Sequence, residues 1–223
     1  MSSKIVEMFE SADSKTFIDK VVPTKYYHRG MLSSELFAVC FLYDYLNIDL
    51  LIESGTANGR SAEVFAKYDM KNIISIDTAN LKIYSKEQNN ELWESVKKRL
   101  SIYKNIKFLK ADSMTEIPKL LRQHKDKRVA INIDGPKDIL ACDLANICCK
   151  YDNVKFVSIH DQLHNKNVMN RYFKNVFYTS ESWYRSRFKD LDVDDMVELK
   201  KRIKIKDNFN GFGVGIILNK YEQ

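Results

Sequence analysis

The chain has 223 residues, 44% hydrophobic and 30% charged, with seven glycines, three prolines and a net charge of +6. This composition excludes a disordered or collagen-like chain, and the length holds one sizeable α/β domain rather than two full catalytic ones. No stretch approaches the ~18 apolar residues of a membrane span, and Met1-Ser2-Ser3-Lys4 lacks the apolar core of a secretory signal, so a soluble cytoplasmic protein is expected. Lysine and arginine are spread along the whole chain, which argues for solubility rather than a nucleic-acid tract; the run Lys200 to Lys206 reads as a solvated face. Cys40, Cys142, Cys148 and Cys149 fall inside apolar patterns without metal-ligand spacing and read as buried, reduced thiols.

In chain order, two helical patterns at 3–17 and 33–46 form an N-terminal extension, joined by a loop with Pro23 and Gly30. Residues 1–47 are that extension and 48–223 the core of a single domain. Short β-rich runs follow at 50–53, 72–77, 106–109, 129–134, 154–160, 176–179 and 213–218. Helix-length amphipathic segments at 60–68, 86–100, 114–125 and 138–150 separate the first five. Strand and helix alternating in this way predict a doubly wound parallel sheet. The segment 164–209 stands apart, with Tyr172, Phe173, Phe177, Tyr178, Trp183, Tyr184, Arg185, Arg187 and Phe188 clustered in it. Aromatic faces and polar edges suit the walls of a pocket for a sugar ring, with core packing the default reading.

The richest stretch runs from Leu51 through Glu53, Gly55, Thr56, Asn58 and Gly59 to Ser61. It reads as a buried strand, a glycine turn and a helix start, an arrangement in which missing side chains and free amides receive a nucleotide-like ligand. Asp77 lies 22 residues after Gly55, at the end of the second strand, where an acid commonly accepts ribose hydroxyls. The spacing is G-x-x-x-G, which disfavours a dinucleotide G-x-G-x-x-G site, and no Gly-Lys-Ser/Thr of a P-loop follows. The other strand ends are also polar: Asp112-Ser113 after the third, Asp134 at the fourth, His160-Asp161-Gln162 at the fifth. Any one of these acids reads equally as a helix cap or turn residue.

Taken together, Glu53 to Ser61, Asp77, the run Ala111 to Leu120 and Asp134-Gly135-Pro136-Lys137-Asp138 resemble the class I S-adenosylmethionine-dependent methyltransferases. Within that superfamily the chain resembles metal-dependent O-methyltransferases of the catechol type and bacterial sugar O-methyltransferases of the cephalosporin hydroxylase-like group. The resemblance implies a Rossmann-like sheet of seven strands, the last antiparallel and inserted beside the fifth. It implies that the turn Gly55 to Gly59 wraps the methionine part of S-adenosylmethionine, that Ser61 helps hold its carboxylate, that Asp77 binds the ribose, and that Asp112 and Ser113 lie by the adenine.

The resemblance further implies that Asp134, Asp161 and Gln162 hold a divalent metal, Mg²⁺ by the hardness of the ligands, with Lys137 as general base. Gln162 stands where the family has a ligating asparagine, and His160 adds a second base or ligand. The expected reaction is methyl transfer to a hydroxyl, of a sugar or glycan first and of a phenolic small molecule second. A Rossmann oxidoreductase and a noncatalytic binding protein are the readings from other classes. The N-terminal helices would serve as a cover over the cofactor or as a homodimer contact.

Overall fold

The computed structural model describes residues 3–21, 30–161, 166–202 and 213–219. Seven strands form one sheet: β1 Leu50–Ser54, β2 Ile73–Asp77, β3 Ile106–Lys110, β4 Val129–Ile133, β5 Val154–His160, β6 Val176–Tyr178 and β7 Val214–Leu218. Their order is β3-β2-β1-β4-β5-β7-β6. β1 pairs in parallel with β2 and β4, β2 with β3, and β4 with β5, whereas β7 runs antiparallel between β5 and β6. This is the seven-stranded Rossmann-like sheet that the resemblance implied, with the last strand reversed. The strand order turns back between β1 and β4, which places a ligand crevice beyond their carboxyl ends.

All five residues of β1 and of β4 are buried, as befits strands covered on both faces. The period of two then sorts neighbours to opposite layers. Leu51 and Ala130 join a core with the N-terminal helices, while Ile52, Ile131 and Ile133 join a second core under α6 (Ser113–Gln123) and α7 (Asp138–Cys148). α4 (Arg60–Lys67) and α5 (Lys86–Leu100) complete the earlier crossovers. α5 begins where the sequence says it should. Ser85 accepts from the Gln88 amide at 3.2 Å and Gln88 accepts from the Ser85 amide at 2.9 Å, a reciprocal cap.

Two expectations change. The pattern at 3–17 is not one helix but two, α1 (Ser3–Glu10) and α2 (Lys15–Val21), followed by α3 (Ser33–Tyr45). Between α1 and α2, Ser11 donates to the Met8 carbonyl at 2.7 Å and Asp13 accepts from the Lys15 amide at 2.9 Å, side-chain bonds that compete with a continuous helix. Pro23 lies outside the described residues.

The second change concerns the aromatic segment, which folds into α8 (Lys166–Tyr172), β6, α9 (Ser182–Phe188), a 3-10 turn (Lys189–Asp192) and α10 (Val193–Arg202). Phe177, Tyr184 and Phe188 are buried against Phe9 and Phe37 from the N-terminal helices, with ring centroids 4.7–5.5 Å apart along Phe9–Phe177, Phe177–Tyr184, Tyr184–Phe188 and Phe37–Phe188. These rings are committed to the core and do not wall an acceptor pocket. The extension therefore shares one core with the sheet.

Cys40, Cys142 and Cys148 are buried, and all four cysteines are free. Among the described residues no helix is long and apolar enough to cross a membrane.

Candidate active site

The glycine turn sits at the switch between β1 and β4, and both of its glycines are required by the protein's own packing. Gly55 has φ +99°, and a Cβ there would lie 2.4 Å from the Gly135 amide nitrogen at the end of β4. Gly59 has φ +72° as the residue that starts α4, and a Cβ there would meet Val96 of α5 at 2.6 Å. At Gly55 the space that a side chain would fill is taken by the β4 end, and at Gly59 by α5. The Ser54 carbonyl accepts from both Asp134 and Gly135 amides at 2.7 Å, which locks the two strand ends together.

Behind the turn lies a buried polar network. Thr56 and Ser75 hydroxyls are 2.7 Å apart, and Ser75 donates to Glu53. Glu53 is fully buried, and its Oε1 has no hydrogen-bond partner among the described residues. Burial pushes its carboxyl up to about 7, against the Ser61 and Ser75 hydroxyls that favour the charged form. Ser61, expected at the cofactor's carboxylate, is 7% exposed. Arg99 of α5 donates to the Asn58 carbonyl and to Glu63, fixing the turn from outside.

Asp77 points both carboxylate oxygens at backbone. Oδ2 accepts from the Ala57 amide at 2.9 Å and Oδ1 from the Ala79 amide at 2.7 Å. Each oxygen keeps a second lone pair that a further donor could use. A small cleft lined by Ala57, Asp77, Ala79, Leu81, Asn89 and Trp93 opens there. Asp112 caps α6, accepting from the Met114 amide at 2.8 Å, and Ser113 receives the Ser54 hydroxyl at 2.7 Å.

The ends of β4 and β5 converge on a charged cluster. Asp134 Oδ1 accepts from His160 Nδ1 at 2.9 Å and from Lys137 Nζ at 2.7 Å, and Lys137 Nζ also donates to Asp161 at 2.6 Å. His160 Nε2 lies 3.3 Å from Glu35 of α3. Burial alone would raise the Asp134 carboxyl, but the charges and hydrogen bonds of His160 and Lys137 outweigh it and hold it at about 2. For His160, burial would lower the imidazole, yet Asp134 and then Glu35 hold it well above its ordinary range. Burial acts on Lys137 in the same sense, and Asp134 and Asp161 again prevail to raise it.

Lys137 and His160, expected as bases, both sit among carboxylates. Those carboxylates favour the protonated form of each, and with it a donor role. Asp134, His160 and Asp161 offer ligand atoms within 4.8 Å of one another, close enough for one metal ion. As arranged they do not fit one, because the Lys137 ammonium bridges the two carboxylates and the His160 Nδ1 is engaged with Asp134. Gln162, the third expected ligand, lies outside the described residues.

Glu35 is the member of the cluster that sequence reasoning missed. Its Oε1 accepts from the Gly213 amide and its Oε2 from the Leu32 amide, both at 2.7 Å. The available signal was a lone acid in the apolar run Met31 to Tyr43. Arg60 and Asp195 were also missed: they form a buried ion pair at 2.7 Å, and Asp195 accepts from the Ser33 amide at 2.6 Å. Asp192 accepts from the Ser34 amide and hydroxyl, both at 2.7 Å. Two acids thus meet the positive end of α3 while one reaches the residue that opens α4.

No family model and no curated protein matches the sequence. Among solved structures, the cofactor-bound protein Rv0187 from MTB is similar over 96% of this chain and 90% of its own, at 10% identity and a TM-score of 0.50. The fold is similar to that of Rv0187. A methyltransferase from Podospora anserina, PaMTH1, bound to SAH, aligns over 99% of this chain and 89% of its own at 13% identity and a TM-score of 0.48. An O-methyltransferase from Bacillus cereus in complex with SAH aligns over 98% and 91% at 11% identity and a TM-score of 0.46.

Proposed function

We propose that the protein is an S-adenosylmethionine-dependent O-methyltransferase. The observation that carries this is the placement of two polar sites on either side of the β1/β4 switch: Glu53, Asp77 and Ser113 around the turn, and Lys137 and Asp161 at the ends of β4 and β5. Glu53 fits the cofactor in a specific way, since its buried Oε1 lacks a partner among the described residues and a cofactor ammonium would supply one. Asp77 would hold the ribose through its remaining lone pairs, with Asp112 and Ser113 at the adenine end. When bound, S-adenosylmethionine supplies an electrophilic methyl group and leaves as a neutral thioether, so no acid is needed for the leaving group.

The chain's own work is then deprotonation and positioning. Lys137 and Asp161 are the exposed members of the cluster, at 46% and 33%, whereas Asp134 and His160 are covered. An acceptor hydroxyl entering there meets Asp161, which takes its proton, and Lys137, which offsets the charge growing on oxygen. Asp134 and His160 hold that pair in place from beneath. No step runs through a metal ion.

The acceptor follows from the resemblance to sugar O-methyltransferases: a sugar or glycan hydroxyl. One observation favours the second reading, a phenolic acceptor. Ile139 and Leu140, on the first turn of α7 beside Lys137, are 56% and 57% exposed, an apolar lip suited to an aryl body. Labelled S-adenosylmethionine offered with sugars and with catechols tests both: transfer to either class supports an O-methyltransferase, and S-adenosylhomocysteine binding without transfer to any hydroxyl acceptor argues against one.

A further inference from the structure

The cluster at the ends of β4 and β5 already holds a cation. Lys137 Nζ lies 2.7 Å from Asp134 Oδ1 and 2.6 Å from Asp161 Oδ2, so the ammonium bridges the same two carboxylates that would ligate a divalent ion. Such an ion bonds oxygen at about 2.1 Å for Mg²⁺ and needs those oxygens for itself. Asp134 Oδ1 has a second claim on it, the His160 Nδ1 at 2.9 Å, and that imidazole is backed by Glu35 at 3.3 Å. The arrangement is set locally by the chain. Lys137 follows Asp134 by three residues across Gly135-Pro136, where the pyrrolidine ring limits the backbone. Asp138, next to Lys137 in the chain, and Asp161 both take the left-handed conformation, φ +55° and +63°.

We infer that Lys137 is the resident cation of this site and stands in place of a divalent metal. Charge at the reacting oxygen is then met by a covalently attached ammonium, and methyl transfer proceeds without a metal; this second consequence rests on the reading of the protein as a methyltransferase, the first does not.

The test is a Mn²⁺ titration of the whole chain at neutral pH, reading free Mn²⁺ by electron paramagnetic resonance, for wild type, Lys137→Met and Lys137→Met/Asp161→Asn. Lys137→Gln serves as a second single variant should Lys137→Met fold poorly, with circular dichroism as the check on folding. The expected result is that the single variant binds one Mn²⁺ at least tenfold more tightly than wild type and that the double variant loses the gain. Wild type binding Mn²⁺ as tightly as the folded single variant would overturn the inference. S-adenosylhomocysteine affinity measured on the same samples separates the two readings, because its absence removes the methyltransferase proposal and leaves the Mn²⁺ comparison intact.

Discussion

Glu35 Oε2 lies 3.3 Å from His160 Nε2, so a helix of the N-terminal extension reaches the end of β5 and closes the charged cluster from behind. Both side chains are almost wholly buried, and Glu35 also accepts the Leu32 and Gly213 amides. Removing the charge while keeping the shape leaves the imidazole without the one carboxylate on its Nε2 side, Asp134 and Asp161 both facing Nδ1. Glu35→Gln is expected to lower stability by about 3 kcal/mol, in the range for breaking one side of a buried pair. Urea unfolding measures this, and a loss below ~1 kcal/mol would mean the pair is not formed.

The turn makes a ranked prediction. At Gly55 an added methyl group meets backbone at 2.4 Å, whereas at Gly59 it meets the Val96 side chain at 2.6 Å. Side chains yield and backbone does not. Gly59→Ala should cost about 1–2 kcal/mol for the left-handed conformation plus modest repacking, and Gly55→Ala clearly more, up to loss of folding. Thermal melts of both variants check the order.

Stability should depend on pH on both sides of about pH 4. The Asp134 carboxyl is held at about 2, below its unfolded value, so its contribution is present above pH 4 and is lost as pH falls through 2. The magnitude is of order 2 kcal/mol. Glu53 is raised to about 7, so between its unfolded value and 7 the folded state holds a proton that the unfolded state has released. Stability therefore falls as pH rises from about 4.5 to 7. Glu53→Gln should flatten that neutral limb, and denaturant melts from pH 3 to 8 would show it.

Much of this was legible in the sequence. The seven strands fall where β-rich runs stood, and α5 and α7 begin at the expected residues, because continuous apolar runs and capping residues are local signals. The strand-end acids were equally visible. Their partners were not. Whether Lys137 is a neutral base or a fixed cation depends on Asp161, 24 residues away and brought near by a sheet pairing that periodicity does not specify. Glu35 and Asp195 were hidden for the same reason, since each acts on a residue more than 100 positions distant. The aromatic cluster was ambiguous because rings suited to a sugar are also suited to a core, and only the packing of α1 and α3 against it decides.

The buried Arg60–Asp195 pair ties α10 to the start of α4, unlike the exposed Lys97–Glu94 pair, whose side chains are 40% and 66% accessible. Asp195→Ala is expected to cost about 3–5 kcal/mol and Glu94→Ala less than ~1 kcal/mol. Equal losses in urea unfolding would contradict the packing of α10 described above.

The most direct measurement is calorimetric titration of the protein with S-adenosylhomocysteine, beside Asp77→Ala and NAD⁺. For an S-adenosylmethionine-dependent enzyme the expected result is one saturable site, at least tenfold weaker in Asp77→Ala, and no heat with NAD⁺. Absence of S-adenosylhomocysteine binding to the folded wild type, or binding of NAD⁺ in its stead, would contradict it.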